Sequence, residues 1–237
     1  MGKNKLSRWA EMKTFGNVIE PPTALAKEGN WPSKGKWKSE LFKNNHPLVL
    51  ELGCGKGEYT LGLAMKYTDK NHVGVDIKGA RIWRGAKTAA ENNIKNVMFL
   101  RTRIEFITSF FAEDEVDEIW ITFPDPFPRP GQSGRRLTSP GFLNLYRMIL
   151  RDGGIIHLKT DNPQLYRYTL NVANLNNLEI ISDTDDLHAS DCCDDILAIR
   201  THYENIFLND GEKIKYLSFR LEKNRKIENA YAEKQIQ

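Results

Sequence analysis

The chain has 237 residues, 40% of them hydrophobic and 27% charged, with a formal net charge of +3; that is enough chain to bury a full core, and an ordinary balance for a globular protein. No apolar run approaches the roughly 20 residues of a membrane-spanning helix, and the basic N-terminus is not followed by the apolar stretch of a secretory signal. Cys54, Cys192 and Cys193 have neither metal-cluster spacing nor the number for a disulfide framework, which predicts a reducing, cytoplasmic setting and no metal.

Residues 1–45 hold nine Lys/Arg against four Asp/Glu and show no sustained hydrophobic period. They are expected to form an extended basic arm with one short helix at most, wrapping the core through Trp9, Phe15, Trp31 and Trp37. Such an arm is a usual footprint of nucleic-acid binding and, as often, merely a solvated terminus. From residue 46 the pattern becomes regular. Short apolar runs at Leu48–Leu52, His72–Asp76, Val97–Arg101, Asp117–Thr122 and Gly154–Lys159 read as buried strands. Helical patterns at Glu58–Tyr67, Ala80–Asn93, Ile104–Phe111, Pro140–Leu150 and Pro163–Leu175 separate and follow them, the last with Asn162 as N-cap and Pro163 at the first position. Glu179–Ser182 and Ile214–Leu221 read as two closing strands. This alternation predicts an α/β doubly wound sheet of seven strands, mostly parallel with the last antiparallel. Residues 46–222 form the domain, and 223–237 a polar helical tail.

Glu51-Leu-Gly53-Cys-Gly55-Lys-Gly57 follows a strand and opens a helix. Its third glycine comes one residue earlier than in the dinucleotide fingerprint, leaving less room for a pyrophosphate. Glu51 would repel a phosphate but suits an ammonium group. A ligand with a cationic amino-acid end and an adenosine end, S-adenosylmethionine, fits better. Asp76, ending the next strand, is placed to accept hydrogen bonds from two ribose hydroxyls. Arg103 stands where an acid, Asn or Ser often meets adenine; a guanidinium only donates, so its backbone or its plane would make that contact.

Phe123-Pro124-Asp125-Pro126-Phe127 ends a buried strand in prolines, which cannot donate to a ladder and turn the chain out at the carboxyl edge of the sheet. Ligands bind at that edge in open α/β sheets. Asp125 there and Asp161 at the next strand end are two acids able to accept the N–H groups of a guanine edge; a helix cap is the alternative for Asp161, but Lys159 and Thr160 beside it at the same edge favour a functional role. N7 of guanine carries a free lone pair, so its methylation needs negative charge near a ring turning cationic rather than a strong base. Arg129, Gly131, Gln132, Ser133, Gly134, Arg135 and Arg136 form a Pro/Gly-rich basic loop suited to phosphates. Lys78, Arg81, Arg84 and Lys87 read as a solvated helix face. Thr201-His-Tyr203-Glu204, taken on its chemistry, is a polar turn with a structural lean.

Together these residues resemble the bacterial tRNA (guanine-N7-)-methyltransferases over about residues 47–221. The resemblance rests on Glu51–Gly57, on Phe123–Phe127 with the following Arg-Arg, on Lys159-Thr-Asp161, and on Thr201-x-Tyr-Glu204 with Phe207 and Gly211. It implies a class I S-adenosylmethionine-dependent fold and methylation of N7 of guanine 46 in the tRNA variable loop. It further implies Glu51, Gly53, Gly55, Asp76, Arg103 and Asp125 at the cofactor, Asp125 in catalysis, Arg129, Asp161, Thr201, Tyr203 and Glu204 at the substrate, and Gly131–Arg136 on the RNA. Arg103, Arg129 and Phe127-Pro-Arg-Pro130 depart from the usual family pattern. The expected partner is tRNA, with no membrane and no obligate protein partner, in a monomer or homodimer. The rival readings are an exocyclic-amine methyltransferase acting on adenine or protein, a nucleotide-dependent dehydrogenase, and a non-enzymatic RNA-binding module.

Overall fold

The computed structural model describes residues 2–229. The leading segment is more ordered than an extended arm. It contains helices Gly2–Met12 (α1) and Thr23–Glu28 (α2), a two-residue strand Val18–Ile19 (β1) and a π-helical turn Trp37–Phe42. Glu115 anchors it, its carboxylate accepting from the backbone N–H of Gly35 (2.9 Å), Trp37 (2.8 Å) and Ala112 (2.8 Å). The Trp37 indole is wholly buried, and its Nε1 donates to the Phe110 carbonyl at 2.9 Å.

The strands that follow are Leu48–Leu52 (β2), Asn71–Asp76 (β3), Val97–Arg101 (β4), Val116–Thr122 (β5), Leu150–Thr160 (β6), Ile180–Thr184 (β7) and Lys215–Leu221 (β8). Every residue of β2 and β3 is buried, as strands covered on both faces must be. The sheet order is β1-β4-β3-β2-β5-β6-β8-β7. Pairing is parallel from β1 to β6, while β8 runs antiparallel to both β6 and β7. The sheet therefore has eight strands, not seven: β1 adds to the edge by pairing Val18 and Ile19 with Phe99 and Leu100. Two residues are too few to show a period, which is why the sequence concealed it.

Helices Glu58–Lys66 (α3), Gly79–Glu91 (α4), Ile107–Phe110 (α5), Pro140–Tyr146 (α6), Pro163–Leu175 (α7) and His202–Asn209 (α8) complete the chain. Leu48, Leu50 and Leu52 face the cluster built with α5, α6 and α7, whereas Val49 faces Tyr59, Leu63 and Tyr216 on the other side. The two layers follow from the period-2 alternation of strand side chains. Residues 223–229 form no helix; Ile227 is buried and exchanges hydrogen bonds with the Asn144 side chain. Residues 230–237 of the expected tail helix lie outside the described residues. Of the aspartates within 183–195, Asp194 accepts from Ile196 N and Leu197 N, while Asp186 and Asp195 pair with Lys213 and Lys66.

Candidate active site

The carboxyl ends of β2, β3, β4 and β5 converge on a cavity of about 560 Å³ lined by Gly53, Asp76, Arg103, Asp125, Phe127 and Arg135, with Ile77, Ile104, Leu137 and Phe142 as apolar walls. A second cavity of about 70 Å³ adjoins it, lined by Glu51, Gly53, Gly55, Lys56, Thr122, Thr201 and Tyr203 among others. Gly53, Phe123 and Arg81 belong to both.

Three left-handed glycines shape the floor, at φ 78° (Gly53), 57° (Gly55) and 73° (Gly57). At Gly57 a Cβ would also sit 2.5 Å from the Phe99 ring, so only glycine can join β2 to α3 this tightly. Asp76 accepts from Gly55 N at 2.9 Å and from Lys78 N at 2.7 Å. It thus pins the glycine loop while lining the large cavity, with lone pairs left over on both oxygens.

Glu51 is 2% exposed. Its Oε2 accepts from Thr60 N at 2.8 Å and from the Thr60 hydroxyl, and its Oε1 from Thr122 Oγ1 at 2.5 Å. Burial pushes its carboxyl up to about 7, against the opposing pull of these donors. Oε1 alone retains an acceptor site, and Glu51 lines the small cavity rather than the large one.

After β5 the chain turns out through two strained aromatic residues, Phe123 at φ 48° and Phe127 at φ 41°. Bulky side chains seldom occupy this region, at a cost of about 1–3 kcal/mol each. Phe123 is held by its N–H to the Lys159 carbonyl (2.8 Å) and by its ring against Phe207 (5.9 Å). Phe127 is held by Arg136, whose Nη2 and Nε reach its carbonyl at 2.9 and 3.3 Å while Nε also meets the Pro126 carbonyl at 3.1 Å. Between these clamps Asp125 is exposed at the rim of the large cavity.

Arg136 therefore departs from the RNA-contacting expectation. It is 8% exposed, stacks on Tyr168 at 4.3 Å and has its donors turned to backbone carbonyls. Arg135, one residue earlier, is exposed over the Phe127 ring at 4.5 Å. Arg129, Gly131 and Gly134 are exposed, Gln132 and Ser133 half-buried, and Pro130–Arg135 winds into a 3-10 turn.

Glu204 is the second departure. It is fully buried, accepting from Lys159 Nζ at 3.0 Å and bonding His188 Nε2 at 3.0 Å. Lys159, equally buried, spends its other donors on the carbonyls of Leu197 (2.8 Å) and Ile199 (3.1 Å). Neither side chain is exposed to solvent, and neither lines either cavity. Thr201 caps α8 by accepting from Glu204 N at 3.1 Å, and still lines the small cavity beside Tyr203. Glu58 docks α8 there by accepting from His202 N at 2.6 Å. Asp161 lines neither cavity; its carbonyl accepts from Lys215 Nζ at 2.9 Å, burial raises its carboxyl, and Asn162 makes the α7 cap. Arg103 lines the large cavity and pairs with Glu105 at 2.8 Å. Thr60, Thr122 and Glu58, which orient this machinery, carried no local signal; their partners lie 9, 71 and 144 residues away. Among the described residues no group of three or more His, Cys, Asp or Glu could hold a metal, and no helix is long and apolar enough to cross a membrane.

Residues 45–217 match a family model described as "Putative methyltransferase". In solved structures the fold is similar to the 16S rRNA methyltransferase KamB (TM-score 0.57, 14% identity, 86% of this chain and 95% of that one). A 30S ribosomal A1408 methyltransferase from an uncultured bacterium is also similar (TM-score 0.53, 17% identity, 86% and 95%). At such identities the likeness is one of fold alone, a class I S-adenosylmethionine-dependent methyltransferase fold. The sequence relatives are nearer. The tRNA (guanine-N(7)-)-methyltransferase of Porphyromonas gingivalis is 51% identical over 89% of this chain and 86% of its own length. Those of Bacteroides thetaiotaomicron (49%, 93% and 87%) and Christiangramia forsetii (47%, 92% and 98%) are close to it. With nearly half its residues shared over nearly its whole length, the chain belongs to the tRNA (guanine-N(7)-)-methyltransferase family.

Proposed function

We propose that this protein methylates N7 of a guanine in tRNA, at position 46 of the variable loop, using S-adenosylmethionine, in the cytoplasm. The observation that carries the reading is that Gly53, Asp76 and Asp125 line one cavity at the carboxyl edge of the sheet. The residues present fit the cofactor. A volume of about 560 Å³ suits a ligand of nucleoside size, Ile77, Ile104, Leu137 and Phe142 offer apolar faces to a flat ring, and the Asp76 carboxylate keeps acceptor capacity for ribose hydroxyls. Bound there, S-adenosylmethionine supplies an electrophilic methyl group on a sulfonium.

The protein's own part is placement and charge. Asp125, rigid between two prolines and two clamped phenylalanines, accepts N–H groups from the guanine edge and favours the positive charge that the ring gains at N7. Fixing both partners at that rim supplies much of the acceleration. Arg129, Arg135 and the exposed turn between them take the tRNA backbone, together with basic side chains of the leading segment. Thr201 and Tyr203 close the small cavity beside the reacting centre.

Incubating purified protein with unmodified tRNA and labelled cofactor, then digesting to nucleosides, should give 7-methylguanosine. A methyl found on an exocyclic amine instead would discard the reading. Asp125→Ala should lose about 100-fold or more in turnover, the scale of a lost transition-state contact, while its unfolding midpoint stays near that of the wild type. An Asp125→Ala enzyme of full activity would remove the assignment.

A further inference from the structure

Arg81 lies in the first turn of α4 and is the one basic residue whose side chain walls both cavities. Its neighbours along the same helix are spent elsewhere or point to solvent. Lys87 pairs with Glu11 at 2.8 Å and lies over the Trp83 ring, and Arg84 is exposed. Arg81 forms no ion pair among the described residues; its contact is Nη2 to the Tyr203 hydroxyl at 3.5 Å, the outer limit of a hydrogen bond. Its guanidinium therefore has donors free to form a bidentate, charge-assisted pair with a carboxylate that enters the cavity.

The small cavity fixes what that ligand is. About 70 Å³ has no room for a second ring, only for a polar head group. Its walls hold an acid with one open acceptor site, Glu51, and the guanidinium of Arg81. Glu58, the other acid there, accepts from His202 N through Oε2 and keeps Oε1 as a further acceptor on the same side. Carboxylate acceptors for an ammonium and one guanidinium fork for a carboxylate describe the α-amino-acid end of the cofactor, continuous with the nucleoside cavity through Gly53.

We propose that Arg81, steadied by Tyr203, binds the α-carboxylate of the cofactor's methionine moiety in the small cavity; this rests on the cofactor reading given above. It moves Arg81 from a solvated stripe to the binding site and gives Tyr203 a positioning role. Lys56 is the competing cation, but it is exposed and lines the small cavity alone.

Calorimetry on the full chain decides the matter with two probes, S-adenosylhomocysteine and 5′-methylthioadenosine, which share the nucleoside but not the amino-acid group. Wild-type protein should bind the first more tightly. Arg81→Met should weaken S-adenosylhomocysteine about 10- to 100-fold, the scale of a lost charge-assisted pair, and leave 5′-methylthioadenosine within about twofold. Arg81→Lys should recover part of the loss, and tRNA affinity without cofactor should not move. An Arg81→Met protein with unchanged S-adenosylhomocysteine affinity overturns the assignment, as does one that loses both nucleosides equally. So does one that loses only tRNA, which would make Arg81 a phosphate contact. The same selective loss in Lys56→Met, with Arg81→Met unaffected, would hand the carboxylate to Lys56. If wild-type protein bound neither nucleoside, the cofactor reading itself would fall, a result distinct from all of these.

Discussion

At the scale of single residues, two buried acids have opposite employment, one at the site and one in the core. Glu51 has its carboxyl raised to about 7 from an ordinary 4.5. The folded protein therefore holds a proton that the unfolded chain releases between those values, and stability falls as pH rises through that window. At about 1.4 kcal/mol per unit the whole effect is about 3 kcal/mol. Glu51→Gln should flatten this dependence and exceed wild type in urea midpoint at pH 8, while binding S-adenosylhomocysteine more weakly for want of an anion. Parallel pH profiles for the two proteins would refute the account. Glu204 instead neutralises Lys159 in a site where neither touches solvent. Glu204→Ala strands a buried ammonium and should cost about 3–5 kcal/mol in denaturant unfolding, with the KM for tRNA of the folded fraction near wild type. A tenfold rise in KM at unchanged stability would restore Glu204 to the substrate.

At the scale of elements, the loop after β5 divides its arginines between two tasks. Arg136 ties the loop to itself at Pro126 and Phe127, while Arg135 stands free above the Phe127 ring. Removing Arg135 should reduce the slope of log affinity for tRNA against log salt by about one. Removing Arg136 should leave that slope alone and lower kcat, because the strained Phe127 that frames Asp125 loses its restraint. Equal salt slopes in the two variants would contradict this division. Adjacent residues of identical type gave no sequence cue to it, since burial of the second depends on Tyr168, thirty-two residues downstream.

At the scale of the whole molecule, the doubly wound order from β2 to β6 was legible because buried parallel strands are continuous apolar runs and their crossovers carry a helical period. Glu51, the glycines, Asp76 and Asp125 were legible for a related reason: each sits at a strand end, and every parallel strand end in such a sheet meets the same edge. The leading segment was not, because its order comes from distant partners (Trp83 and Lys87 for Glu11, Arg101 for Glu20, Glu115 for Gly35 and Trp37) and from Trp37 filling the core rather than from any local pattern. Local chemistry thus announced what kind of ligand the edge could hold. Which charged side chains stand at that edge, and which vanish into the interior as Arg136, Lys159 and Glu204 do, was settled by packing. Burial of a charge is possible only where remote segments deliver its partners, and no stretch of chain contains that information by itself.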